Sequence, residues 1–173
     1  MIDEIVEFIK DVLVYLIIIV VIVLLKVYVI SIVEIVGDSM EPNYRDGNIM
    51  LMDKLVHKHI KYFNYKRFDI VVISYSNPSY LIKRIIGMPG EKLTYIENKL
   101  YIDGVIVDEK IKLNGKTDDF EGEVIIPDNM YFVMGDNREH SVDSRTFGLV
   151  SKNDILGKPF LLIWPFKEIR TVK

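Results

Sequence analysis

The 173-residue chain has no cysteine. Disulfides, thiol nucleophiles and cysteine-ligated zinc are therefore excluded, although the compartment is not identified by that absence. Histidine is scarce, with only His57, His59 and His140. The first two stand two apart with no evident third ligand, so they do not read as a metal pair. None of the three has the surroundings of a general base. The G-x-S-x-G elbow and the βαβ rhythm of a Ser-His-Asp hydrolase are missing as well. Basic residues form no block and the net charge is −3, so nothing points to a nucleic-acid partner. Repeats, low-complexity tracts and an internal linker are also lacking. The length suits one domain with a sizeable core and one appended segment.

What the sequence does have is an apolar excess concentrated near its start. Residues 12–25, "VLVYLIIIVVIVLL", carry no charge, and "VYVISIV" follows Lys26 at 27–33. A bilayer core of about 30 Å needs on the order of 20 helical residues, which 12–33 supplies if Lys26 snorkels to the interface. In water so many β-branched residues would favour a strand. In lipid an isolated span must satisfy its own backbone, so the expectation is a transmembrane helix over 12–33, preceded by a tail at 1–11. A cleaved leader is disfavoured because "MIDEIVEFIKD" is acidic and no small-residue cleavage site follows.

Beyond the span, short apolar runs alternate with turn residues, the texture of an all-β domain over 34–173. Strands are predicted at 48–55, 68–75, 80–87, 130–136 and 159–166, and a hairpin at 98–109 turning on Asp103-Gly104. The polar, glycine-bearing stretch 111–123 reads as a surface loop inside a small cap spanning about 91–128.

Three stretches carry candidate chemistry. In "YLIKRIIGMPGE" strand alternation puts Lys83 on one face with Leu81 and Ile85, and Arg84 on the other with Ile82 and Ile86. A lysine buried among apolar neighbours loses preference for its charged form and becomes a base near neutral pH; arginine cannot. The segment alone leaves open the alternative that both cations are solvated. In "VGDSMEP" Gly37 allows unusual backbone, and Pro42 ends ladder pairing soon after Ser39. Ser39 then sits on a strand-to-turn corner with an exposed hydroxyl and a free amide, or else it caps a short helix starting at Pro42. The stretch "GDNREHSVDSRTFG", 135–148, is too dense in paired charge for a tether and reads as a rigid polar loop.

Together these stretches resemble the type I signal peptidases (leader peptidases, the S26 family), membrane-bound proteases that remove signal peptides from exported proteins. "GDSMEP" resembles their serine box, "KRIIGMPGE" their lysine box, and "GDNREHSVDSRTFG" their C-terminal box, in the same order and spacing. The resemblance implies Ser39 as nucleophile and Lys83 as general base, a known serine-protease variant. It implies that Ser141 hydrogen-bonds the Lys83 amine, and that Arg84, Asp136, Asp143 and Arg145 form structural ion pairs around the site. Ile35, Val36, Met40, Leu81 and Ile82 match positions lining shallow pockets for small side chains, commonly alanine. The oxyanion hole would include the Ser39 amide. Gly37 stands where some members carry a hydroxyl residue, as in the Gram-positive, single-span form, and leaves the second donor open.

The resemblance also implies signal-peptide-bearing precursors as partners at the translocation machinery, a lipid bilayer around the span, and an extracytoplasmic catalytic domain. It implies no cofactor and no metal. Two other readings stand beside it: an idle membrane-anchored β-module that binds partners, and a related Ser/Lys self-cleaving protease. The latter would need a DNA-binding module and a cleavage segment that the sequence does not display.

Overall fold

The computed structural model describes residues 2–54, 65–76 and 79–173. His57 and His59, with the expectation attached to them, lie outside the described residues. A long helix, α1 (Ile2–Tyr28), leads almost directly into strand β1 (Ile30–Glu34). The strands that follow are β2 (Ile49–Asp53), β3 (Ile70–Ser76), β4 (Ser79–Gly87), β5 (Lys92–Ile96), β6 (Lys99–Ile102) and β7 (Val105–Val107). The rest are β8 (Val124–Ile125), β9 (Met130–Met134), β10 (Val150–Ser151), β11 (Ile155–Trp164) and β12 (Arg170–Thr171). A single helical turn, α2 (Ser144–Phe147), sits between β9 and β10.

An eight-stranded antiparallel sheet runs β1-β2-β11-β3-β4-β9-β10, with β12 added beside β11; β7-β6-β5-β8 make a separate four-stranded sheet. Three apolar clusters hold the two sheets. One, around Met40, Met50, Ile70, Val72 and Ile82, lies on one face of β3 and β4. The second, around Val71, Ile73, Ile85 and Val133, lies on the other face. The third, around Ile86, Leu93, Tyr95, Leu100 and Phe132, ties the small sheet to β9. The register shift between Ile85 and Gly87 is what turns Ile86 from the main sheet toward the cap. At Gly87 itself any Cβ would collide with Ile126 and Leu93.

The β-rich architecture agrees with the sequence, with three corrections at the boundaries. The apolar run does not stay helical to residue 33: α1 ends at Tyr28, and Ile30–Glu34 pairs with β2 instead. Among the described residues no helix is long and apolar enough to cross a membrane. Glu7, Lys10 and Asp11 interrupt the first turns of α1, and the charge-free stretch from Val12 to Leu25 spans only about 21 Å of helix. Finally, β5 and β8 were not expected, and β11 starts at Ile155 rather than at residue 159. The hairpin turn is as read, with both Asp103 and Gly104 at positive φ (50° and 78°).

Candidate active site

Strand β4 carries the two cations, and the main sheet buries both. Lys83 is 2% exposed and Arg84 1%, so the solvated alternative does not hold. Arg84 faces the interior, where its guanidinium forks onto one carboxylate: Nε donates to Asp136 Oδ1 and Nη2 to Oδ2, each at 2.7 Å. Its Nη1 donates to the carbonyls of Phe68 (2.8 Å) and Lys173 (3.0 Å). Asn43, absent from the expected set, adds a bond from Nδ2 to Asp136 Oδ2 at 2.8 Å.

Lys83 faces the other way. Its Nζ makes a 2.7 Å hydrogen bond to Ser39 Oγ, 44 residues earlier in the chain. Burial lowers the Lys83 pKa from 10.5 to about 8; Asp143 and Asp136 push it back up, and Arg145 reinforces the drop. Roughly a tenth of the molecules would thus hold a neutral amine at pH 7.

Ser39 occupies the corner after β1. Its turn closes by hydrogen bonds from the Glu41 amide to the Asp38 carbonyl (2.9 Å) and from the Tyr44 amide to the Met40 carbonyl (3.0 Å). No helix forms at Pro42, and the Ser39 side chain meets Lys83 instead of capping one. The left-handed Gly37 (φ 89°) bends the chain into this corner. Its amide is already engaged, donating to Asp46 Oδ1 at 2.7 Å, so it is not a free oxyanion donor here. The Ser39 amide, by contrast, has no acceptor among the described residues.

The C-terminal polar loop closes the site from β9. Gly135 lies so close to Ser39 O and Ser141 Oγ that any side chain there would collide with both. Asp143 takes hydrogen bonds from the Gly135 amide (3.0 Å), Arg145 Nε (2.8 Å) and Arg145 Nη2 (2.8 Å). Burial alone would push the Asp143 carboxyl up, but these donors outweigh it and hold the group below its usual range. The Ser144 hydroxyl accepts from the Val133 amide at 2.9 Å, latching the loop onto β9. Arg138 spans from this loop to the cap, pairing with Glu109 and donating to the Tyr95 hydroxyl (2.9 Å) and Thr117 Oγ1 (2.8 Å).

One expected contact is absent. Ser141 Oγ is buried and has no hydrogen-bond partner among the described residues, so it does not bind the Lys83 amine. It lies near enough to Asp143 to favour that carboxylate's ionised form, yet outside hydrogen-bonding geometry. The amine is hydrogen-bonded to Ser39 instead. His140 is exposed, and the Ser39 hydroxyl is held by Lys83 rather than by an imidazole.

A groove of about 370 Å³ opens over the pair. Ile35, Val36, Met40, Leu81 and Ile82 line it together with Ser39 and Lys83, so the structure brings all five sequence-expected lining residues to one place. Glu34, Ser79 and Tyr80 line it too and were not foreseen, because nothing in their local pattern marks them. The arrangement is a hydroxyl bound to a buried amine whose proton is held more loosely than a free lysine's, beside an unspent amide and an apolar trough. It can do acyl transfer.

Comparison with known proteins agrees with that chemistry. The family described as "Signal peptidase, peptidase S26" matches residues 5–164. A signal peptidase I of Bacillus amyloliquefaciens is 43% identical over 148 residues, 79% of this chain and 77% of that protein. Signal peptidase I S of Bacillus subtilis is 41% identical over 146 residues, 78% of this chain and 77% of that protein. A solved signal peptidase I from Enterococcus faecalis superposes with a TM-score of 0.48 at 34% identity, covering 56% of this chain and 97% of that one. A hydrolytic serine peptidase is therefore what the folded chain amounts to, and it belongs to the S26 signal peptidase family.

Proposed function

We propose that this peptidase removes signal peptides from exported precursors by a Ser39/Lys83 dyad. The observation that carries the reading is the 2.7 Å contact between Ser39 Oγ and the amine of Lys83, a lysine 2% exposed and lowered to about 8. The neutral amine accepts the hydroxyl proton as Ser39 Oγ attacks the scissile carbonyl carbon. The Ser39 amide donates to the oxyanion that develops. The lysine then passes its proton to the departing amine, leaving an acyl-enzyme. A water molecule, deprotonated by the same lysine, attacks the ester and restores Ser39. Ser141, its hydroxyl unspent, supports the lysine once the amine turns from Ser39.

The precursor's cleavage region lies extended in the groove, adding to the segments at Ile35–Val36 and Leu81–Ile82, so that backbone bonds provide sequence-tolerant binding. The bulky side chains of Ile35, Met40 and Ile82 leave shallow pockets, which favours alanine-sized residues one and three positions before the cut.

Helix α1 anchors the enzyme at the membrane, with the β-domain on the extracytoplasmic side where precursors leave the translocation machinery. Its exposed side chains from Val12 to Leu24 are apolar on every face, and such a helix calls for lipid or a partner around it. In the sequence only Lys26 interrupts the charge-free run to residue 33.

The test is incubation of the full chain, in detergent or lipid, with an exported precursor. Cleavage after a small residue is expected, resistant to chelators, abolished in Ser39→Ala, and rising with pH through an apparent pKa near 8. Undiminished cleavage by Ser39→Ala would sink the dyad.

A further inference from the structure

Asn137 has no role in the chemistry above, yet it touches both peptide groups that bracket the nucleophile. Its backbone N–H donates to the Ser39 carbonyl at 3.0 Å. Its side-chain Nδ2 donates to the Asp38 carbonyl at 3.3 Å. The residue is 2% exposed, and its Oδ1 is buried with no hydrogen-bond partner among the described residues. Leaving that oxygen unpaired costs desolvation free energy, so the side chain sits here for what Nδ2 does rather than for its own satisfaction.

Peptide geometry says what that is. The Asp38–Ser39 bond is trans, the cis bonds among the described residues being Glu41–Pro42 and Trp164–Pro165. A planar trans peptide carries its C=O and the following N–H in opposite directions. Holding the Asp38 carbonyl toward Asn137 therefore points the Ser39 N–H the opposite way, away from Asn137. There it meets no acceptor among the described residues. The Glu41 amide grips the same Asp38 carbonyl at 2.9 Å. That bond belongs to the turn itself and moves with it. Asn137 ties the carbonyls of Asp38 and Ser39 to the loop after β9, where it follows Asp136, which Arg84 fixes in the interior.

We infer that Asn137 is a positioning residue for oxyanion stabilisation: by holding the carbonyls of Asp38 and Ser39 it aims the Ser39 amide at the scissile carbonyl oxygen. This rests on the peptidase reading above and adds to it the residue that orients the donor. With the Gly37 amide occupied by Asp46, the aim of the Ser39 amide matters all the more.

The experiment uses the full chain in detergent and compares Asn137→Ala and Asn137→Asp with the parent. Both keep the backbone N–H; Asn137→Asp also keeps the shape while replacing the donor by an acceptor. Loss of a complete oxyanion donor costs about 10²- to 10³-fold in kcat. A misaimed donor should cost less, about ten- to fiftyfold, with KM within about twofold. In Asn137→Ala the acid limb of the pH profile should not move, because no charge is added or removed beside Lys83; the added carboxylate of Asn137→Asp should shift it upward. Affinity for a peptide aldehyde, which forms a tetrahedral adduct on Ser39, should fall in step with kcat/KM. Affinity for the same peptide with a reduced, uncleavable scissile bond should hold.

A folded variant with kcat within twofold of the parent overturns the inference. So does an equal loss for the aldehyde and the reduced peptide, or a shifted acid limb in Asn137→Ala. If the buried carboxylate of Asn137→Asp prevents folding, Asn137→Ala decides. If neither variant folds, Asn137 is a structural residue and the inference falls. A parent that cuts no precursor removes the peptidase reading and this inference together, whereas an active parent with unimpaired variants removes this inference alone.

Discussion

Lys83 and Arg84 are neighbours on one strand and equally withdrawn from solvent, yet their surroundings treat their charges in opposite ways. Arg84 enters an interior furnished for a cation, with two oxygens of Asp136 and two backbone carbonyls within 3.0 Å. Lys83 enters the apolar trough, where its one hydrogen-bond partner among the described residues is a neutral hydroxyl. Burial with partners keeps a charge and makes it a strut; burial without them makes the proton easy to lose. Strand alternation lets one dipeptide do both, because side chains a residue apart must face opposite sides.

The largest test of this contrast exchanges the residue on the dry side. Lys83→Arg keeps the charge and removes the base, so kcat/KM on a precursor should fall about a thousandfold or more; activity within tenfold of the parent would break the contrast. Next comes the furnished side. Asp136→Ala strands the Arg84 guanidinium in the interior and should lower unfolding free energy by about 3–5 kcal/mol in denaturant titration.

Lys83→Met should act in the opposite direction. The folded pKa of about 8 against 10.5 in the free side chain corresponds to a penalty of up to about 3 kcal/mol at neutral pH, which methionine avoids. Because the unfolded chain holds that proton more tightly, the penalty is complete below about pH 8 and fades as pH rises toward 10.5. The parent should therefore gain stability across that window while the gap to Lys83→Met closes. The smallest effect belongs to the half-exposed Arg170–Glu168 pair at 3.3 Å. Glu168→Ala should change stability by less than about 0.5 kcal/mol, setting the scale for an ion pair that water can reach.

The opposed directions of Lys83 and Arg84 were legible from period-two alternation alone, and the Asp103-Gly104 turn from its chemistry. The depth at which both cations lie was not, because it depends on Asp136 returning to Arg84 some fifty positions later and on β3 and β9 covering β4. Strand β1 was hidden for a different reason. "ISIVE" continues the β-branched texture of the run before it, and that texture suits a helix in lipid as well as a strand on a sheet. The beginning of β11 was obscured by Gly157 and Pro159, where the ladder with its neighbours shifts register. Asn137 belonged to the stretch read as a rigid polar loop but carried no role of its own there, and Asn43 was not marked at all; only the folded chain puts one against the Ser39 turn and the other against Asp136.

The junction between α1 and β1 leaves almost no slack: the helix ends at Tyr28, and the strand begins at Ile30 and runs to the nucleophile's corner. Five extended residues cover roughly 16 Å, and pairing with β2 prevents that length from coiling or stretching. Under the proposed dyad and anchor, the Ser39 hydroxyl would ride at a set height above the surface that holds the helix, and β1 would act as a ruler for how far from that surface a passing chain is severed.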